Sequence, residues 1–212
     1  MSARRPAAPL QRALPREVRI IGGAWKRTRL PVVDRPGLRP TPDRVRETVF
    51  NWLGQSLPGW RCLDAFAGSG ALGFEAASRG AAEVVLLERD PAAAANLRAT
   101  KTRLGAEAVQ VERADSLHWM ARAAAESFDL VFVDPPFESS LLARALPAAG
   151  RIVRDGGYLY VESATPVDPA DAGPLMELFR AGQAGTVHFQ LLRRSGPGQS
   201  LHSAEIEGDP AT

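Results

Sequence analysis

From Pro58-Gly59 onward, short apolar runs alternate with helix-like segments, and this alternation restricts the chain's fold more than any other feature. Runs at 61–66, 83–88, 108–113, 128–134 and 157–162 read as strands, since compact apolar stretches rich in β-branched residues suit a buried parallel sheet. Helical patterns fall between them at about 70–79, 90–104, 116–125 and 139–149. The alternation predicts an α/β fold with a mostly parallel, doubly wound sheet and right-handed crossovers. The closing pattern breaks the rhythm. Leu175–Arg180, the glycine-containing Ala181–Gly185 and Val187–Leu192 read as a β-hairpin, so the sheet should end in an antiparallel pair.

Parallel sheets of this kind bind ligands beyond the carboxyl ends of their strands, so the residues there are the candidates for chemistry. The run Phe128–Val133 ends in Asp134-Pro135-Pro136-Phe137. Two prolines stop sheet hydrogen bonding and stiffen the backbone. A carboxylate, carbonyl acceptors and a flat ring are thereby held together, a set suited to a planar heterocycle with an exocyclic amine. Alone, the motif would more readily be read as a proline-terminated loop with an exposed Asp.

A second constellation follows the run Arg61–Leu63: Asp64-Ala-Phe-Ala-Gly68-Ser-Gly70-Ala-Leu-Gly73. Gly68, Gly70 and Gly73 have the spacing G-x-G-x-x-G, by itself a weak dinucleotide signal. Glu88 closes the next strand-like run, where an acid that binds ribose hydroxyls belongs. Asp64 stands before the glycines and would repel a pyrophosphate. A cationic ligand fits better, and S-adenosylmethionine carries a sulfonium, an ammonium and a ribose.

Charge is distributed unevenly. Residues 1–61 carry 13 Lys/Arg against 4 Asp/Glu, a net +9, whereas the remainder carries 13 against 20, a net −7. A basic segment on an acidic body points to a polyanionic partner; the alternative is a solubilising arm. Residues 1–16 read as a disordered basic tail and 196–212 as a flexible tail. Between them, 17–57 reads as a β-hairpin and helix extension, and 58–195 as the main domain. Thr41-Pro42-Asp43 predicts the helix start, with Thr41 as N-cap and Pro42 first in the helix. Val45, Val49 and Leu53 would share its buried face, with Arg44 and Arg46 off it. No run of about 18 apolar residues predicts a transmembrane helix, and no apolar secretory segment opens the chain. The single cysteine, Cys62, fits a reducing compartment, and a cytoplasmic location is expected. His118, His188 and His202 are scattered, so no metal site is expected, and nothing demands more than a monomer.

With these motifs assembled, the chain resembles the bacterial small-subunit ribosomal RNA guanine-N2 methyltransferases, the methyltransferase D family. The resemblance runs through Arg19–Lys26, Gly37–Trp52, Leu63–Gly80 and Phe128–Phe137 and covers about residues 17–195. The first two segments distinguish this family from methyltransferases at large. The resemblance implies a Rossmann-like class I methyltransferase fold of seven strands, S-adenosylmethionine as donor, and a guanine of small-subunit (16S) rRNA, naked or in an assembling 30S particle, as target. It assigns Asp64, Gly68 and Gly70 to the methionine end of the donor and Glu88 to the ribose. Asp115 would serve the adenine amine, although a helix N-cap is an equal reading of that residue. It assigns Asp134 and the Pro135 carbonyl to the target amine, and Phe137, where Tyr is also common, to stacking on the base. Arg39, Arg44 and Arg46 are the candidates for RNA phosphates. Adenine-N6 methylation of DNA or RNA, protein-glutamine methylation, nicotinamide oxidoreduction and non-catalytic RNA binding are the rival readings. Asn would be expected at 134 for the glutamine reaction, and the dehydrogenase reading leaves Asp64 and Asp134-Pro-Pro unexplained.

Overall fold

The computed structural model describes residues 17–32, 41–136 and 140–196. The two expected tails, apart from Gly196, and the candidates Arg39 and Phe137 lie outside the described residues. A small hairpin opens the fold, with β1 (Glu17–Arg19) antiparallel to β2 (Arg29–Pro31). Helix α1 (Asp43–Trp52) follows. The main sheet then builds from β3 (Arg61–Asp64), β4 (Glu83–Leu87), β5 (Val109–Glu112), β6 (Phe128–Val133), β7 (Val153–Ser163), β8 (Met176–Ala184) and β9 (Val187–Arg194). Helices α2 (Ala71–Ser78), α3 (Pro91–Leu104), α4 (Ser116–Arg122) and α5 (Leu141–Ile152) connect the parallel strands. The strand order is β5-β4-β3-β6-β7-β9-β8, with β9 antiparallel to both its neighbours. The expected seven-stranded, mostly parallel sheet with a C-terminal antiparallel hairpin is therefore present. No helix among the described residues is long and apolar enough to cross a membrane.

Alternation along the strands explains why both sheet faces are covered. In β6, Leu130 and Phe132 enter one apolar cluster, while Val131 and Val133 enter the other. The second cluster holds Met120 of α4 and Ala145, Leu146, Ala149 and Ile152 of α5. The first holds Phe74 of α2 and Leu97 of α3, together with Val18, Ile20 and Leu30 of the small hairpin and Val45, Val49 and Phe50 of α1. The N-terminal extension therefore packs into a face of the sheet rather than standing apart.

Two elements run past their expected limits. The strand expected at 157–162 starts at Val153, because a bulge carries pairing across Gly156-Gly157: Phe128 faces Val153, but Leu130 already faces Tyr158. The glycines lie within a continuing but irregular strand. In the closing hairpin, Ala181–Ala184 extend β8 and leave only Gly185-Thr186 as the turn. Gly182 is a packing glycine. A Cβ there would lie 2.3 Å from the Phe189 ring, which stacks on Trp52 of α1.

Candidate functional site

Four adjacent strand ends each deliver a carboxylate to one edge of the sheet. Asp64 ends β3, Glu88 follows β4, Asp115 follows β5 and Asp134 follows β6. All four line a single cavity of about 700 Å³, together with Thr41, Gly68, Pro135, Pro136 and Thr186. Thr186 reaches it because the two-residue hairpin turn lies at the carboxyl end of β7, where Ser163 pairs with His188.

Local backbone geometry sets the glycine loop between β3 and α2. Gly70 has φ +77° and forms the helix N-cap, and a Cβ there would meet Phe74 and Leu97 at 2.6–2.7 Å. It shapes the loop, while Gly68 lines the cavity. The Asp64 carboxylate accepts the Gly73 N–H at 3.0 Å and so ties the end of β3 to the first turn of α2. Burial pushes Asp64 up to about 7 against the backbone hydrogen bonds from Gly73 and Phe66, which favour its ionised form. Glu88 accepts the Gly68 N–H at 3.1 Å and the Asp90 N–H at 2.7 Å, bridging the glycine loop and the start of α3. Asp115 accepts the His118 N–H at 2.9 Å as the N-cap of α4 while also lining the cavity. The N-cap reading of Asp115 is therefore met in the structure.

Asp134 lines the cavity where β6 ends. Burial first, then Glu162 and Asp64, hold its carboxyl well above the ordinary carboxylate range, and a hydrogen bond from Thr41 opposes them. The Thr41 hydroxyl donates to Asp134 Oδ2 at 3.4 Å. This corrects the expected helix start. Pro42 is the N-cap of α1, no side chain caps it, and Thr41 turns into the cavity instead.

Arg46 requires a larger correction. It is 0% exposed, so it cannot lie on the RNA-facing side of α1. Its guanidinium reaches Asp43 at 2.7 Å and Glu75 at 3.3 Å. Glu75, equally buried in α2, also pairs with Arg79 and accepts the Ile21 and Gly22 N–H groups, each at 2.7 Å. A charge inside a core must be paired, and this network joins the hairpin, α1 and α2. Arg44 is exposed. Thr41, Glu75, Arg79 and Glu162 were missed as candidates. The available signals were Glu75 within the otherwise apolar Leu72–Ala77 stretch and Glu162 at the end of the apolar Tyr158–Val161 run.

A family model described as conserved hypothetical protein 95 matches residues 18–193. The Escherichia coli ribosomal RNA small subunit methyltransferase D is 41% identical over 194 residues, which span 87% of this chain and 93% of that one. The chain belongs to the ribosomal RNA small subunit methyltransferase D family. The Haemophilus influenzae protein of the same name is 42% identical over 152 residues, spanning 69% of this chain and 79% of that one. A solved Escherichia coli structure superposes on the chain with TM-score 0.74 at 40% identity, covering 84% of this chain and 98% of its own. A precorrin-6y C5,15-methyltransferase from Geobacter metallireducens, 17% identical, shares the fold at TM-score 0.59, covering 78% of this chain and 94% of its own. The chain's strand order carries all four carboxylates of the cavity to one edge.

Proposed function

We propose that this family member transfers a methyl group from S-adenosylmethionine to the exocyclic N2 amine of one guanine in small-subunit ribosomal RNA. The observation that carries the proposal is one continuous cavity. Its lining joins the glycine loop, Glu88 and Asp115 on the β3–β5 side of the sheet edge to Asp134-Pro135-Pro136 on the β6 side. A donor and an acceptor can then meet inside a single enclosure. The names of the Escherichia coli and Haemophilus influenzae relatives support ribosomal RNA as substrate.

The residues fit such a donor. Asp64 and the Gly68–Gly70 loop would hold its cationic methionine end, Glu88 its ribose hydroxyls and Asp115 its adenine amine. When bound, the donor supplies an electrophilic methyl group on a positively charged sulfur. The buried carboxyls gain from any cation in the cavity, which offsets the burial that raises Asp64 and Asp134.

The chemistry left to the protein is positioning. A guanine amine is a weak nucleophile because its lone pair is delocalised into the ring. Asp134 and the Pro135 carbonyl would accept its two N–H groups and orient the lone pair toward the methyl carbon, and such alignment supplies much of the rate. The amine sheds one proton as the new bond forms, and the Asp134 carboxylate is the adjacent acceptor. Phe137 would stack on the base, which must be unpaired or flipped to enter. Arg39 and Arg44 would hold flanking phosphates, whether on free RNA or on an assembling small subunit. The test is incubation of the protein with labelled donor and small-subunit rRNA, followed by nucleoside analysis. N2-methylguanine is expected; N6-methyladenine would transfer the reading to the rival amine.

A further inference from the structure

Thr41 belongs to the N-terminal extension, yet it is 4% exposed and lies against Asp134 in the cavity wall. On the other side stands Glu162, 3% exposed. Val161 of β7 pairs with Val133 of β6, so Glu162 and Asp134 follow one another at adjacent strand positions. A buried carboxyl and a half-buried one thus share one hydroxyl. Thr41 donates to Asp134 Oδ2, and its hydroxyl also interacts with Glu162. The Tyr160 hydroxyl donates to Glu162 Oε1 at 2.8 Å.

A hydroxyl has one proton to give and two lone pairs to receive. It cannot donate to two carboxylates at once. Every polar atom of the set is satisfied when Glu162 carries a proton on the oxygen that Tyr160 does not use. Glu162 then donates to the Thr41 oxygen, and Thr41 donates to an ionised Asp134. The mirror arrangement, with the proton on Asp134 and Thr41 donating to Glu162, satisfies the same atoms in the free protein. A substrate amine that donates to Asp134 requires an acceptor there and so selects the first. With both carboxyls ionised, one is short of a donor and two like charges stand side by side.

We propose that Thr41 and Glu162 are positioning residues for Asp134, Glu162 serving as a proton-bearing donor that aims the Thr41 hydroxyl at the Asp134 carboxylate. The proposal rests on the reading of Asp134 as acceptor of the substrate amine. It gives the N-terminal extension a direct hold on the reaction centre, since Thr41 immediately precedes the cap of α1. The charged and titratable groups facing the set are Asp64 from β3, Tyr160 from β7 and Arg46 from α1, whose own carboxylate partners are Asp43 and Glu75.

The test compares Thr41→Val, Thr41→Ser, Glu162→Gln, Glu162→Leu and Asp134→Asn. Single-turnover methyl transfer is measured against pH, and donor affinity by calorimetry. Thr41→Val should lower turnover about 10- to 100-fold, the range for losing one hydrogen bond to a charged group. Donor affinity should stay within about twofold. Its acid limb should move to higher pH, because the lost donor favoured the ionised carboxylate. Thr41→Ser should restore both. Glu162→Gln reproduces the protonated donor and should keep turnover within about threefold, whereas Glu162→Leu should fall with Thr41→Val. Full turnover and an unmoved acid limb in Thr41→Val, or equal damage from Glu162→Gln and Glu162→Leu, would overturn the proposal. If Thr41→Val does not fold, the two Glu162 variants decide the matter alone. An Asp134→Asn protein with normal turnover would instead overturn the reading of Asp134 itself.

Discussion

Replacing Glu75 with Ala tests whether the buried ionic network holds the N-terminal extension against the sheet. Glu75 accepts the Ile21 and Gly22 N–H groups at 2.7 Å each, Arg46 Nη1 at 3.3 Å, and Arg79 Nε and Nη2 at 2.9 and 2.8 Å. Neither its side chain nor that of Arg46 has any exposure, and that of Arg79 has 3%. Truncation would strand two guanidinium groups beside an empty volume, although Arg46 keeps Asp43 and Arg79 keeps Gln55. Breaking a buried pair by removing one partner costs about 3–5 kcal/mol. Two orphaned backbone N–H groups could add about 1–3 kcal/mol each, but water entering the hole would recover part of that. A net loss of about 4–6 kcal/mol follows from these ranges. For a chain of this size each kcal/mol moves Tm by about 2–4 °C, so circular dichroism should show a fall of about 10–20 °C. Hydrogen exchange should accelerate at Ile21 and Gly22 in particular. A fall below about 5 °C, with those two amides still protected, would refute the claim that Glu75 anchors the extension.

Asp64→Asn should weaken donor binding by about 1–3 kcal/mol in calorimetry, the cost of a lost charge-assisted hydrogen bond; unchanged affinity in the folded variant would contradict the assignment. The same carboxyl should shape the pH dependence of stability in the free protein. Its value is raised from 3.8 to about 7, so its contribution is fully present below the lower value and lost as pH rises through the upper one. Urea titrations from pH 4 to 8 should show wild type losing stability relative to Asp64→Asn over that window; a constant difference would count against it. Arg44→Glu should flatten the salt dependence of RNA binding by about one unit of slope while leaving Tm unchanged. An equal slope in wild type and variant would remove Arg44 from the RNA surface.

The order of strands and helices was legible because strand-length apolar runs and helical periods alternate without ambiguity between Arg61 and Val133. The four carboxylates of the cavity were legible for a related reason: each stands where an apolar run stops, and parallel strands stop at one edge. What escaped detection depends on partners distant in sequence. Arg46 lies off the narrow stripe marked by Val45 and Val49, yet its guanidinium is buried against Asp43 and Glu75. Only Glu75, 29 residues away, makes that tolerable. Thr41 carries a strong local helix-start signature, and the acceptor that draws its hydroxyl elsewhere is 93 residues downstream. Gly182 of β8 looked like part of a turn because a glycine in close contact with a ring has the same local signature as a turn glycine.

The central claim is that Asp134 and its neighbours hold a guanine amine for methylation. It is tested most directly by mass-spectrometric mapping of methylated nucleosides in small-subunit rRNA treated with wild-type protein or with Asp134→Ala. Wild type should place N2-methylguanine at one position. Asp134→Ala should place none while retaining donor affinity in calorimetry. N2-methylguanine formed equally by both proteins, or methylation confined to another base, would contradict the account.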